Sequence, residues 1–171
     1  VKLFRKSRCN VLLLDISLPD RNGIEVLKQI KGEKPDLAVL MLSMHREDQY
    51  AIRSLKAGAA GYLTKQSAPR ELVNAIRQVA GGQRYVSAQL AQVLAAQLGE
   101  NHDAPVHEGL SDREYQTLTM IASGKTVSEI ARELSLSVKT VSEYRSRLLA
   151  KMKLKTSAEL THYAIRNQLI D

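Results

Sequence analysis

The sequence predicts an α/β domain with a parallel sheet, followed by a smaller all-helical domain. Between Val11 and Leu63, short apolar segments alternate with segments of helical periodicity. This alternation is typical of parallel strands joined by crossover helices, and the continuous hydrophobicity of the apolar segments indicates strands that are buried on both faces. After residue 109 only helical patterns occur, each with a recognisable start signal.

Each predicted strand is a run of apolar residues that ends in a polar residue. The predicted strands are VLLLD, LAVLMLS and GYLTK, and the helices that follow them are GIEVLKQIK, EDQYAIRSLKAG and PRELVNAIRQVAGG. Gly58 suits a helix C-cap, and Pro69 suits the first turn of a helix. We therefore predict three consecutive strand-helix units.

A change of composition separates the two predicted domains. Residues 87–98 predict one further helix, rich in Ala, Leu and Gln, whereas residues 99–109 mix Gly, Pro and charged residues without periodicity. Such an aperiodic stretch is typical of a linker. We predict a first domain over residues 1–86, a helical linker over residues 87–109 and a second domain over residues 110–171.

Composition limits the classes of function. The 171 residues carry a formal net charge of +7, which is compatible with an anionic partner. The single cysteine, Cys9, excludes an intrachain disulfide and fits a reducing compartment. No apolar run is long enough to span a bilayer, and the basic start has no signal-peptide core after it. We therefore expect a cytoplasmic protein with no membrane partner.

Three polar residues end the predicted strands: Asp15, Ser43 and Lys65. Because ligands of open parallel sheets bind beyond the carboxyl ends of the strands, we expect these side chains to converge at one edge. A carboxylate, a hydroxyl and an ammonium group suit phosphoryl chemistry. The carboxylate would be the nucleophile, and the ammonium group and a hard cation would offset the charge of the phosphoryl oxygens.

The segments LLLDISLPDRNG, LMLSMH and GYLTK resemble the receiver domain of two-component response regulators, and the resemblance covers about residues 10–82. It implies that Asp15 accepts phosphate from a sensor histidine kinase. It also implies that Ser43 is the switch hydroxyl, that Lys65 contacts the acyl phosphate and that Tyr62 occupies the switch aromatic position.

The same resemblance implies Mg²⁺ as a cofactor of phosphorylation, with Asp15 and the backbone carbonyl of Ser17 among its ligands. Receivers of this family open with a strand that ends in an acidic, metal-binding pair, followed by a helix and a second strand. None of these precedes Val1. We therefore expect the sequence to be part of a longer gene product, with a receiver domain that here lacks its first strand and helix.

Helix start signals define the second domain. Three pairs match the capping box, in which a hydroxyl and a carboxylate three residues later satisfy free N–H groups of the first helical turn. These pairs are Ser111 with Glu114, Thr126 with Glu129, and Thr156 with Glu159, and Ser137 can cap a fourth helix.

The segment TVSEIARELSLSVKTVSEYRSRLLAKM predicts two helices joined by a short turn. Each helix has one apolar stripe, formed by Val127, Ile130, Ala131 and Leu134 in the first and by Val141, Leu148 and Met152 in the second. The spacing is that of a helix-turn-helix. Ser135 takes the turn position where glycine is commoner.

The second of these helices carries the candidate DNA contacts. With Val141 at the centre of the buried face, rotation by about 100° per residue places four residues on the opposite face. These candidates for contacts with base edges are Lys139, Ser142, Glu143 and Ser146. The flanking candidates for phosphate contacts are Thr140, Arg147 and Lys151. Basic residues exceed acidic ones between Val138 and Lys155, which supports binding to double-stranded DNA.

The run from Leu110 to the C-terminus resembles the four-helix DNA-binding domain of LuxR-type regulators. Its last helix, SAELTHYAIRNQLI, is in the position that this family uses for dimerisation, so the resemblance implies a homodimer on DNA. Together, the two resemblances imply a response regulator of the NarL/LuxR (FixJ) family. Such a protein would be a phosphorylation-dependent transcription regulator of a two-component system and not an enzyme.

Two other functions remain open at this stage. An aspartyl-phosphate phosphatase of the haloacid dehalogenase type also places a nucleophilic aspartate after a hydrophobic strand. The pattern of such enzymes has a second aspartate two residues later, where this chain has Ser17. The other alternative is a DNA-binding protein that never uses phosphate. Its receiver-like half would then be a dimerisation or partner surface.

Overall fold

A computed structural model describes residues 9–18, 21–44, 47–67, 69–99 and 105–170 of the chain. The chain divides into two compact units, Val1–Glu100 and Asn101–Asp171. The first unit has α/β architecture and the second is helical, which confirms the predicted fold class.

Three parallel strands form the sheet of the first unit, in the order β1-β2-β3. The elements along the chain are β1 (Val11–Asp15), α1 (Gly23–Glu33), β2 (Ala38–Ser43), α2 (Glu47–Lys56), β3 (Gly61–Thr64), α3 (Pro69–Ala80) and α4 (Ala88–Gly99). In the pairing of β1 with β2, Asp15 lies opposite Leu42, and in the pairing of β2 with β3, Ser43 lies opposite Thr64. This register brings the carboxyl ends of all three strands to one edge of the sheet.

Burial differs between the strands. In the central strand β2, residues 39–41 are buried, as the sequence predicted for a strand covered on both faces. β1 departs from that prediction, because Leu13 is 41% exposed while its neighbour Leu14 is buried. Successive side chains of a strand point to opposite faces of the sheet, so Leu13 and Leu14 lie on different faces, and at β1 the described residues cover the face of Leu14 but not that of Leu13.

Helix α4 belongs by its contacts to the first unit, because it packs against α2. It begins at a cap in which the Ser87 hydroxyl accepts a hydrogen bond from the Leu90 amide, at 3.0 Å, and Leu90 is fully buried. The predicted linker, residues 87–109, includes this helix. The boundary between the first domain and the linker at residue 86 stays a prediction. Residues 100–104 of the predicted aperiodic stretch lie outside the described residues, and Val106–Gly109 form a short 3-10 helix.

The second unit contains four α-helices in its described residues. They are α5 (Asp112–Ala122), α6 (Val127–Glu133), α7 (Val138–Met152) and α8 (Ser157–Arg166). All three predicted capping boxes form at the starts of α5, α6 and α8, and Ser137 caps α7. Helix α5 is buried along its whole length and packs against the other three helices.

None of the helices in the described part of the chain is long and apolar enough to cross a membrane.

Candidate functional site

The predicted polar residues do meet at the carboxyl edge of the sheet. Lys65 donates a hydrogen bond from Nζ to Oδ2 of Asp15, and the two side chains form an ion pair. The side chain of Asp15 is 27% exposed and that of Lys65 is 39% exposed, so an anion can reach both. The Lys65 amide also donates to the carbonyl of Ser43, at 2.7 Å, and this bond places Ser43 beside the pair.

The turn after β1 fixes the position of Asp15. Its Oδ1 accepts a hydrogen bond from the Ser17 amide, at 3.0 Å. The Gly23 amide donates a hydrogen bond to the carbonyl of Ile16, at 2.8 Å, so the start of α1 is in contact with the residue that follows β1. A Cβ atom at Gly23 would lie 2.1 Å from the carbonyl oxygen of Asp15, so only glycine permits this approach. The buried Asn22 completes the turn, because its side chain caps α1 by accepting from the Ile24 amide.

Ser43 and Tyr62 are both fully buried. Tyr62 lies on β3 opposite Met41, which is also fully buried. Helix α2 packs on β3, so a movement of Tyr62 would have to displace packed side chains in this region. The roles of Ser43 and Tyr62 as switch residues stay predictions.

The described residues offer only some of the ligands that a magnesium site would need. Mg²⁺ prefers oxygen ligands and is usually held by one or two carboxylates together with water and phosphate. Asp15 could supply one carboxylate, and the backbone carbonyl of Ser17, two residues later, is of the right chemical type. Among the described residues there is no group of three or more His, Cys, Asp or Glu side chains that could hold a metal ion. The described donors therefore fit Mg²⁺ only as a partial ligand set.

Helices α6 and α7 form the predicted helix-turn-helix. Ile130, Ala131 and Leu134 are buried in the first helical segment, whereas Val127 is half-buried. The turn contains Ser135 with φ 52°, a left-handed conformation in which glycine is commoner, as the sequence suggested. The buried residues of α7 are Val141, Leu148 and Met152, as predicted.

The predicted DNA contacts lie on the exposed side of α7. Thr140 is half-buried and the other six are exposed: Lys139, Ser142, Glu143, Ser146, Arg147 and Lys151. The Ser146 hydroxyl donates to the carbonyl of Ser142, at 3.0 Å, and Arg147 lies 3.7 Å from Glu143 in an exposed ion pair. This face combines cations, hydroxyls and one carboxylate, which are the groups that read phosphates and base edges.

Two basic residues of α7 have internal partners that the sequence did not reveal. Lys151 Nζ donates to Oε2 of Glu114, at 2.7 Å, and joins α7 to the first turn of α5. Arg145 Nε donates to the Ser157 hydroxyl, at 3.0 Å, and joins α7 to the start of α8. The partners are 37 and 12 positions apart in the sequence, so no local periodicity could indicate these contacts.

Family models match both units. Residues 1–77 match the response regulator receiver domain, and residues 108–164 match the bacterial regulatory proteins of the luxR family. The response regulator UvrY of Escherichia coli K12 is 41% identical over 170 residues, which cover 99% of this chain and 78% of UvrY. The chain is a LuxR-type response regulator. GacA of Pseudomonas aeruginosa, another such response regulator, is 39% identical over 173 residues, which cover all of this chain and 80% of GacA.

Solved structures of response regulators have the same architecture. RcsB of Salmonella enterica serovar Typhimurium, bound to promoter rprA in the presence of the phosphomimetic BeF3⁻, aligns with a TM-score of 0.59 and 28% identity over 95% of this chain and 78% of RcsB. A structure of two RcsB dimers bound to two parallel DNAs aligns with a TM-score of 0.52 and 25% identity over 99% and 80% of the two chains. A LuxR-family response regulator from Aurantimonas sp. SI85-9A1 aligns with a TM-score of 0.54 and 34% identity over 58% and 71%.

Membership of this family confirms the function predicted from the sequence. A LuxR-type response regulator is a DNA-binding transcription regulator of a two-component system, controlled by phosphorylation. The relatives are regulators rather than enzymes, and nothing favours the phosphatase or the phosphorylation-independent alternative.

Proposed function

We propose that Asp15 is the phosphoacceptor of this response regulator and that α7 is its DNA recognition helix. The observation that carries the first part is the ion pair of Asp15 with Lys65 at the carboxyl edge of the sheet. A partly exposed carboxylate beside an ammonium group can attack phosphorus while the ammonium group offsets the charge of the phosphoryl oxygens.

The proposed phosphoryl transfer starts from a phosphohistidine of a sensor histidine kinase. A carboxylate oxygen of Asp15 forms the new bond to phosphorus, the bond from phosphorus to the imidazole nitrogen breaks, and the imidazole leaves with the electron pair. Lys65 then contacts the acyl phosphate, and the Ser43 hydroxyl donates to one of its oxygens. When bound, Mg²⁺ would offset phosphoryl charge at the Asp15 carboxylate and the Ser17 carbonyl.

The proposed response to phosphate runs through β3 and α2. Ser43 moves toward the phosphoryl group, the buried Tyr62 rotates, and the packing of α2 on β3 changes with it. The rearranged surface then favours DNA binding by α7 or permits dimerisation through α8. The arrangement of dimers on DNA in the RcsB structure supports a homodimer as the binding form here.

In the proposed DNA complex, α7 enters the major groove. The residues proposed to contact base edges are Lys139, Ser142, Glu143 and Ser146. The residues proposed to contact phosphates are Thr140, Arg147 and Lys151. Their exposure along one side of α7 supports this assignment.

The test is a DNA-binding titration of the intact gene product at fixed salt, with and without acetyl phosphate and Mg²⁺. The probe is a duplex selected by this protein from a random library. We expect tighter binding with phosphodonor for wild type, no gain for Asp15→Asn, and an undiminished gain for the control Asp36→Asn, an exposed aspartate before β2. The gain should also disappear when EDTA removes Mg²⁺. An equal gain in Asp15→Asn would contradict the assignment of Asp15, and equal binding in every sample would favour the phosphorylation-independent alternative.

A further inference from the structure

The contact between Lys151 and Glu114 joins two residues of very different exposure. The Glu114 side chain is only 4% exposed, whereas the Lys151 side chain is 49% exposed. The carboxylate is therefore out of reach of a DNA backbone, but the ammonium group is not. A lysine ammonium group carries three N–H donors, and the bond to Glu114 uses one of them.

Glu114 is itself held in place at the start of α5. Its Oε2 accepts from the Ser111 amide at 2.8 Å as well as from Lys151, and its own amide donates to the Ser111 hydroxyl at 3.3 Å. Burial alone would raise the pKa of Glu114, but the hydrogen bonds from Lys151 and Ser111 outweigh it and lower the pKa below its ordinary value. The carboxylate is therefore charged at neutral pH and fixed to α5.

The other capping-box carboxylates lack this connection. Glu129 accepts from the Thr126 amide at 2.8 Å and is exposed at the start of α6. Glu159 accepts from the backbone amides of Lys155 and Thr156 at the start of α8. Glu114 thus does more than cap a helix, because it is the capping-box carboxylate that also binds a side chain of α7.

We propose that Glu114 is a positioning residue for DNA binding, which holds the Lys151 ammonium group at 2.7 Å as a preformed cation for a DNA phosphate. This inference rests on the proposed function of α7. The phosphate contact is made by Lys151, and Glu114 acts through it without touching DNA. A lysine that is already held in one orientation loses little rotameric freedom when it binds a phosphate. This can raise the affinity for DNA by up to roughly thirtyfold.

The Glu114 carboxylate could also have the opposite effect and weaken the contact of Lys151 with DNA. A carboxylate beside the ammonium group could compete with phosphate for it, and removal of the carboxylate would then strengthen DNA binding. The positioning role predicts weaker binding when the Glu114 charge is removed, although that change makes the protein more positive. The sign of the change therefore distinguishes the two roles.

The experiment measures binding of the full chain to a mixed-sequence 30-base-pair duplex at several salt concentrations. Lys151→Ala should weaken binding and reduce the slope of log K against log salt by about 0.9, as expected for one lost phosphate contact. Glu114→Gln should weaken binding about three- to tenfold in the Lys151 background and have no effect in the Lys151→Ala background. The control Glu129→Gln removes the same charge from another capping box and should bind no more weakly than wild type.

If the contact between Glu114 and Lys151 only stabilised the fold, Lys151→Ala would not change the salt slope, and the effect of Glu114→Gln on DNA binding would not depend on Lys151. Lys151→Arg should restore the slope, because a guanidinium group can contact the carboxylate and a phosphate together. An unchanged slope in Lys151→Ala, or stronger binding by Glu114→Gln, would overturn the proposal. If wild type fails to bind the duplex at low salt, the proposed function of α7 fails as well. This outcome differs from an unchanged slope in Lys151→Ala and from stronger binding by Glu114→Gln, which contradict only the further inference. If Glu114→Gln does not fold, Glu114→Asp replaces it: the shorter side chain keeps the charge but withdraws it from Lys151, so DNA binding should weaken when Lys151 is present and not in the Lys151→Ala background, and unchanged binding would overturn the proposal.

Discussion

Lys65 and Asp15 are separated by 50 positions in the sequence, and yet their side chains form an ion pair at the end of the sheet. The pair is partly exposed, so it contributes little to folding, and its position is better explained by an anionic ligand. Lys65→Ala should slow labelling of Asp15 by acetyl phosphate about tenfold or more. The free energy of unfolding should change by less than about 1 kcal/mol.

The control for this prediction is Lys28→Ala, which removes the same charge from the exposed side of α1. It should label at the wild-type rate. Labelling of Lys65→Ala as fast as wild type would show that the ammonium group has no part in phosphoryl transfer.

Gly23→Ala should destabilise the first unit. The added Cβ would lie 2.1 Å from the Asp15 carbonyl oxygen and 2.7 Å from Cα of Ile16, and both neighbours are backbone atoms. We expect the free energy of unfolding to fall by about 3 kcal/mol in a urea titration. Gly32→Ala, also in α1, meets no atom within 4 Å and should stabilise by about 0.5–1 kcal/mol. Similar shifts in the two variants would contradict the close approach at Gly23.

Ser54→Ala should stabilise the first unit. The Ser54 hydroxyl is fully buried on α2 and has no hydrogen-bond partner among the described residues. Since an unsatisfied buried hydroxyl costs about 1–3 kcal/mol, its removal should raise the free energy of unfolding by about 1 kcal/mol or more. Ser87→Ala is the comparison, because it removes the cap of α4 and should lower stability by about 1 kcal/mol. A loss of stability in Ser54→Ala would mean that the hydroxyl has a partner in solution.

Arg145 and Arg147 should differ in their effect on DNA binding, although they lie two residues apart. Arg145 binds the Ser157 hydroxyl within the domain, whereas Arg147 is exposed. Arg147→Ala should therefore reduce the salt slope by about 0.9. Arg145→Ala should leave the slope unchanged and lower the free energy of unfolding by about 1–2 kcal/mol. Equal slopes for the two variants would contradict this assignment.

Stability at low pH should depend on Glu114. Its pKa is lowered in the folded protein, because hydrogen bonds from Lys151 and Ser111 outweigh the effect of burial. The folded state therefore favours the charged form, so the stabilisation is present above the ordinary pKa of 4.5 and is lost as pH falls through the lower folded value. Glu114→Gln should flatten the acid side of a plot of unfolding free energy against pH. An acid side as steep as that of wild type would contradict the lowered pKa.

Signals that act over a few residues could be predicted from the sequence. The three capping boxes, the buried stripe of α7 and the apolar strands all depend on neighbours in the chain, and all of these helix starts and strands are present in the structure. The convergence of Asp15, Ser43 and Lys65 also followed, because parallel topology alone brings the ends of the strands together.

Contacts between distant segments could not be predicted. The pairs Lys151 with Glu114 and Arg145 with Ser157 depend on how α7 crosses α5 and α8, which no sequence periodicity fixes. The exposure of Leu13 depends on which face of the sheet other segments cover, and the apolar sequence of β1 does not show this. The packing of α4 against α2 was missed because composition assigned this helix to a linker.

The helix caps of the second unit also bear on how fast it acquires its structure. At the start of each of its four described α-helices, a side-chain hydroxyl accepts a hydrogen bond from the backbone amide three residues later. Each helix start therefore depends on only four consecutive residues. Helix nucleation is the unfavourable step of helix formation, and such local bonds favour it before distant segments meet. Helical domains with many short-range contacts reach the native state in microseconds to milliseconds. The DNA-binding half is therefore suited to acquire its structure sooner than the parallel sheet, whose strands must first find neighbours more than twenty residues away.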